Sequence, residues 1–182
     1  MPAETEITEG NLRFRFGDGW RVLRYDDHPD TRAHLGRLAS RKAVDFVALR
    51  DDRLFLIEVK DFRGNRIENK PRLAGGVLAE EVALKAHDTL AGLVLARRGE
   101  EADPLWSQAL DALRPGGRRP YVVLWLEDDA AWRAAPRDRV GVGVLRQGLA
   151  QRCSSLSARA AVACAADPVL PGVTAANLPG SA

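Results

Sequence analysis

Leu12, Phe14 and Phe16 alternate with arginines, and Trp20 and Val22 follow the run Gly17-Asp18-Gly19. A period of two interrupted by a glycine-rich turn predicts a β-hairpin over residues 12–25. Asp30 is a suitable N-cap for a short helix from Thr31 to Ala39. The segments AVDFVAL (43–49) and LFLIEVK (54–60) read as strands joined by the charged turn Arg50-Asp51-Asp52-Arg53.

Residues 61–76 carry Gly64, Pro71, Gly75 and Gly76 and read as a loop with room for one extra short strand. Val82, Ala86, Leu90 and Leu93 then recur on one helical face, which predicts a long helix from about Val77 to Arg98. A second helix is expected over Leu105–Leu113, ending at Pro115-Gly116-Gly117, and YVVLWL (121–126) reads as a strand buried on both faces. A helix over Val142–Ser155 and a final strand over Ala160–Ala165 complete the pattern. The expectation is one α/β domain over residues 1–170, with a central mixed sheet flanked by helices, an N-terminal hairpin and a loosely ordered tail over 171–182.

Composition narrows the class. A hydrophobic content of 46% argues for a real core, and no apolar run is long enough for a membrane span. The acidic start Met1-Pro-Ala-Glu-Thr-Glu is unlike a secretory signal, so a cytoplasmic location is expected. Cys153 and Cys164 lie in apolar surroundings without metal-type spacing and read as small buried side chains. The net charge of +2 neither requires nor excludes a nucleic-acid partner, but basic residues cluster at Arg32, Arg37, Arg41 and Lys42, and again at Lys60, Arg63, Arg66, Lys70 and Arg72. A third cluster is Arg114, Arg118 and Arg119. His28 and His34 have no nucleophile pattern near them, and no phosphate-cradling glycine loop precedes a helix.

The two central strands carry the candidate chemistry. A turn centred between Asp51 and Asp52 sets Leu49 opposite Leu54, Val47 opposite Leu56 and Asp45 opposite Glu58. Alternation then places Leu54, Leu56, Glu58 and Lys60 on one side, and Phe55, Ile57 and Val59 on the other. Two carboxylates about 5 Å apart repel by roughly 3 kcal/mol at an effective dielectric of about 20. A divalent cation with hard oxygen ligands, Mg²⁺ or Mn²⁺, relieves that repulsion, and Lys60 could offset part of it. Glu-x-Lys by itself is an ordinary strand salt bridge. The facing acid and the apolar strand leading into Glu58 are what point to a site.

The run AVDFVALRDDRLFLIEVKDFRG resembles the core of the PD-(D/E)XK nuclease superfamily, with Asp45, then twelve residues, then Glu58, Val59 and Lys60. The resemblance covers about residues 31–126 and implies a restriction endonuclease-like fold. It implies that Asp45, Glu58 and the Val59 carbonyl are metal ligands and that Lys60 is the catalytic lysine. It further implies that a basic side chain of the following helix, here Lys85, stands near the scissile phosphate.

The implied activity is that of a Mg²⁺- or Mn²⁺-dependent phosphodiesterase on nucleic acid, specifically a DNA endonuclease using a metal-activated water, acting alone, as a homodimer or within a larger complex. Val44 occupies the position of the motif's proline. No glutamate equivalent to the family's helix-borne acid is evident in residues 31–39, which leaves Glu9, Asp26 and Asp27 as substitutes. The alternative is a catalytically silent nuclease-fold protein that binds nucleic acid or serves as a subunit in defence or repair.

Overall fold

The computed structural model describes residues 4–29, 42–64, 76–97, 103–128 and 136–179, with the backbone alone over 136–140. The elements run β1 (Thr5–Glu9), β2 (Leu12–Phe16), β3 (Arg21–Arg24), β4 (Phe46–Arg50), β5 (Arg53–Asp61), α1 (Val77–Ala96), α2 (Pro104–Asp111), β6 (Tyr121–Glu127), α3 (Pro136–Arg152), a 3-10 turn (Ser154–Leu156), β7 (Arg159–Ala163) and β8 (Val173–Asn177). Two sheets form, a five-stranded one ordered β3-β4-β5-β6-β7 and a three-stranded one ordered β1-β2-β8. The larger sheet is mixed: β3, β4 and β5 pair antiparallel, and β5, β6 and β7 pair parallel.

Side-chain alternation divides the core into two layers. Val47, Leu49, Leu54, Leu56, Val122, Leu124 and Leu126 pack with Leu78, Val82, Ala86 and Leu93 of α1, Trp106 of α2 and Leu149 of α3. On the other face Phe46, Ala48, Phe55, Ile57, Val59, Val123 and Trp125 pack against Leu12, Phe14, Phe16 and Trp20 beneath the small sheet. Phe14 sits edge-on to both Phe46 and Trp125, with ring centroids 5.2 and 5.1 Å away. The apolar run of β6 is thus the signature of a strand covered on both faces. Among the described residues, helices line one face of the large sheet and the small sheet covers the other.

Five expectations need correction. Residues 12–25 do not form a hairpin: β2 pairs with β1 and β8, whereas β3 pairs with β4 in the other sheet. The chain turns at Gly17-Asp18-Gly19 to pass between layers, where Gly17 donates its N–H to Gly172 O at 2.9 Å. The N-terminal hairpin is instead β1–β2, closed through Gly10 at φ 54.

Within the expected loose tail, residues 171–179 are ordered, because Val173–Asn177 adds β8 to the edge of β2 and Val173 is buried, while residues 180–182 lie outside the described residues. Trp20 Nε1 donates to Pro171 O at 2.9 Å, which ties this strand to the aromatic layer. The strand before it, β7, is therefore not the last, and α3 starts at Pro136 rather than Val142. Cys153 is buried as expected, whereas Cys164 is only half-buried, and both are free thiols.

The helix expected over Thr31–Ala39 and residues 65–75 of the expected loop lie outside the described residues. The remaining elements agree to within a few residues: α1 covers Val77–Ala96, α2 Pro104–Asp111, and β6 Tyr121–Glu127. Asp103 caps α2, its carboxylate accepting from Leu105 N at 2.8 Å, and Pro104 opens the first turn.

Candidate active site

The register of β4 and β5 positions the site. Leu49 faces Leu54, Val47 faces Leu56 and Phe46 faces Ile57, so continuing the ladder by one residue sets Asp45 across from Glu58. Asp51 and Asp52 both adopt positive φ, at 49° and 55°, the geometry of a tight primed turn whose twist suits the flanking strands. Beyond the turn the strands are apolar and buried until they reach the two acids. Asp45 is 7% exposed and Glu58 is 0% exposed.

Asp45 is fixed from several directions. Its Oδ2 accepts the Val59 amide at 2.6 Å, and its main-chain carbonyl accepts the Tyr25 amide at 2.8 Å. One residue earlier, the Val44 amide donates to Thr89 Oγ1 at 3.0 Å, and the Lys42 amide donates to Asp88 Oδ2 at 3.3 Å. Helix α1 therefore holds the irregular segment that delivers Asp45. Asp88 and Thr89 are buried polar residues set into the apolar face of α1. That interruption of the stripe was the sequence signal for this role, and sequence reasoning passed over it.

Glu58 is gripped by two lysines. Lys60 Nζ lies 2.7 Å and Lys85 Nζ 2.6 Å from its Oε1, while the buried Oε2 has no hydrogen-bond partner among the described residues. Lys85 thus reaches from α1 to the strand-borne acid. Glu81, one turn earlier on α1, approaches Lys60 at 3.2 Å and is a further residue that sequence reasoning missed. Its spacing of four from Lys85, on the same helical face, was the available clue.

Electrostatics separate the roles. Burial, followed by the charge of Glu58, pushes the Asp45 carboxyl up to about 7, against the lowering effect of the Val59 amide and Lys85. Burial works against the Lys60 ammonium, but Glu58 and Glu81 together outweigh it and raise its pKa above the ordinary lysine value. Lys60 therefore stays protonated at neutral pH, which makes it a fixed positive charge rather than a base.

Two N-terminal acids join the cluster. One carboxylate oxygen each of Glu9, Asp26 and Asp45 lies within 4.8 Å of the others. Burial raises the Glu9 pKa, Arg24 opposes the rise, and Asp26, Asp27 and Glu58 add to it. Arg24 Nη2 stands 2.8 Å from Glu9 Oε2, an ion-pair contact without hydrogen-bond alignment. Asp27 is half exposed and pairs with Arg24 at 3.1 Å.

All four predicted catalytic side chains, Asp45, Glu58, Lys60 and Lys85, are thus brought together at one end of the hairpin. Val59 contributes its amide to Asp45. The buried, unpartnered Glu58 Oε2 and the all-oxygen acid set suit a hard divalent cation. A cavity of about 410 Å³ lies elsewhere, beside the turn end of the hairpin and lined by Arg21, Asp52, Gln108 and Arg118. Comparison of the chain with known protein families, curated proteins and solved structures finds no match.

Proposed function

We propose that this protein is a metal-dependent phosphodiester hydrolase acting on nucleic acid, with DNA as the substrate and the Asp45, Glu58, Lys60 and Lys85 cluster as its active site. The observation that carries this reading is the pair of buried carboxylates at the end of two apolar strands, one with an orphaned oxygen, faced by two lysines. Buried acids at facing positions cost stability unless a cation or proton compensates them. Such an arrangement is expected where function demands it.

When bound, Mg²⁺ or Mn²⁺ would supply Lewis-acid activation of water and neutralise phosphate charge. Asp45 and Glu58 would hold the cation, with the Val59 carbonyl as the third protein ligand implied by the family resemblance. Lys60 and Lys85, both in contact with Glu58, would turn their ammonium groups toward the phosphate as negative charge builds on its oxygens. Because both lysines contact Glu58 Oε1, the unpartnered Oε2 is the oxygen that would remain for the cation. No helix among the described residues is long and apolar enough to cross a membrane, which accords with a partner in solution.

The test is hydrolysis of plasmid and single-stranded DNA in Mg²⁺ or Mn²⁺ by the wild type and by Asp45→Ala, Glu58→Ala and Lys60→Ala. The expected result is cleavage by the wild type and its loss in all three variants. Cleavage that persists in all three would remove the assignment. The same double ion pair also suits a silent nuclease-fold protein, in which the lysines permanently replace the metal. DNA binding without cleavage, unaffected by Mn²⁺, would favour that second reading.

A further inference from the structure

We propose that Glu9 and Asp26 complete a divalent-cation site with Asp45, so that the N-terminal strand β1 is part of the catalytic centre and not only of the scaffold. The site's use in cleavage rests on the nuclease reading above, whereas its existence is open to separate test. The three carboxylates come from separate stretches of chain: the end of β1, the turn after β3, and the segment leading into β4. Their closest oxygens lie within 4.8 Å of one another. Ligands to one hard cation, each about 2.1–2.4 Å from it, fall within the same span.

A second observation is independent of that clustering. Glu58 is fully buried, spends Oε1 on two lysines, and leaves Oε2 without a hydrogen-bond partner among the described residues. Glu58 faces Asp45 across the β4–β5 pair, one step beyond the Phe46–Ile57 pairing, so the orphaned acceptor lies on the same face of the hairpin end as the Asp45 carboxylate. A buried carboxylate oxygen with nothing to bond is costly and is satisfied by a cation.

Arg24 supplies a local counter-charge. Its guanidinium lies 2.8 Å from Glu9, 3.4 Å from Asp26 and 3.1 Å from Asp27, and it also donates to Thr8 O at 3.3 Å. One monovalent group thus serves three acids while tying the end of β1 to β3. A divalent ion among Glu9, Asp26 and Asp45 would bring twice the charge and would reach Asp45, for which no contact with Arg24 is seen. The acid that the family resemblance expects from a helix is, on this view, supplied from an N-terminal strand and a turn.

Calorimetric titration of the full chain with Mn²⁺ tests the proposal. The expected result is binding by the wild type and a loss of at least about tenfold in affinity in both Glu9→Gln and Asp26→Asn. Asp27→Asn, outside the set of three oxygens, should stay within about twofold of the wild type. Circular dichroism establishes that each variant is folded. Should Glu9→Gln fail to fold, Asp26→Asn on the turn carries the comparison.

Wild-type affinity in a folded Asp26→Asn variant overturns the proposal, as does an absence of Mn²⁺ binding by the wild type. Mn²⁺ binding that depends on Glu9 and Asp26, without DNA hydrolysis, upholds the site and removes the nuclease reading. Hydrolysis accompanied by Mn²⁺ binding indifferent to both residues does the reverse.

Discussion

Lys85 Nζ stands 2.6 Å from Glu58 Oε1, the oxygen that Lys60 also contacts at 2.7 Å. A fully buried carboxylate with two ammonium partners is coupled to both, so the two lysines do not contribute independently. Lys85→Met removes one partner but leaves Lys60, and a loss of about 1–3 kcal/mol in urea unfolding is expected. Lys60→Met should cost a similar amount, and the double variant more than their sum. Additive costs would show that Glu58 does not depend on the pair. Glu58→Gln removes the buried charge and should recover much of the double variant's loss while abolishing cleavage.

Stability should depend on pH through Asp45. Its carboxyl titrates near 3.8 when unconstrained and is pushed up to about 7 in the folded chain, by burial first and by Glu58 second. Between those values the folded state holds a proton that the unfolded state has released, so stability falls as pH rises from about 4 to about 7 and levels off above. The difference between 3.8 and about 7 corresponds to a change on the order of 4 kcal/mol. Glu9, whose pKa burial also raises, adds to the fall with the same sign.

Denaturation in EDTA across this range should show the decline, and Asp45→Asn should flatten it. Added Mg²⁺ should oppose the decline, because a bound cation favours the ionised form. A wild-type stability that rises with pH over the same window in EDTA would contradict the placement of Asp45.

The turn that sets the register is strained. Asp51 and Asp52 both hold positive φ, where glycine and asparagine are the favoured residues. Asp51→Asn combined with Asp52→Gly should raise stability by about 1 kcal/mol and leave cleavage unchanged, because the pairing of Leu49 with Leu54 is kept. A thermal melt and a DNA-cleavage assay check both halves. Lost activity with gained stability would mean the new turn had shifted the register and moved Asp45 off its face.

The β4–β5 pair was legible because two apolar runs flank a four-residue charged turn, and a period of two leaves only one register that buries both. Helix α1 was legible for the same kind of reason, its buried positions recurring at 3.6. The small sheet was not, because β1 and β8 have weak apolar content. Their alternation is of Thr, Glu and Ile in β1, and of small residues in Val173–Asn177, so pairing rather than composition makes them strands. Among site residues, Asp45, Glu58 and Lys60 followed from register, and Lys85 from family resemblance. Glu9 and Asp26 could be named as substitute acids, but no local pattern brings them to Asp45. Their approach depends on how two sheets stack.

Thr89 offers a test of how α1 positions the site. Its Oγ1 accepts the Val44 amide at 3.0 Å and its carbonyl accepts the Tyr25 hydroxyl at 3.4 Å, while Thr89 itself is fully buried. Thr89→Val keeps the shape and removes only the hydroxyl, which leaves a buried amide without its acceptor beside Asp45. A loss of about 1–3 kcal/mol follows from that unsatisfied donor. Because the Val44 amide is one residue from Asp45, the acid is also released to shift against Val59, and Mn²⁺ affinity should fall with stability. Thr89→Ser retains the acceptor and should preserve metal affinity despite the lost methyl. Equal Mn²⁺ affinities in Thr89→Val and the wild type, measured at a temperature where both are folded, would show that the Asp45–Val59 hydrogen bond alone is enough to hold the acid in place.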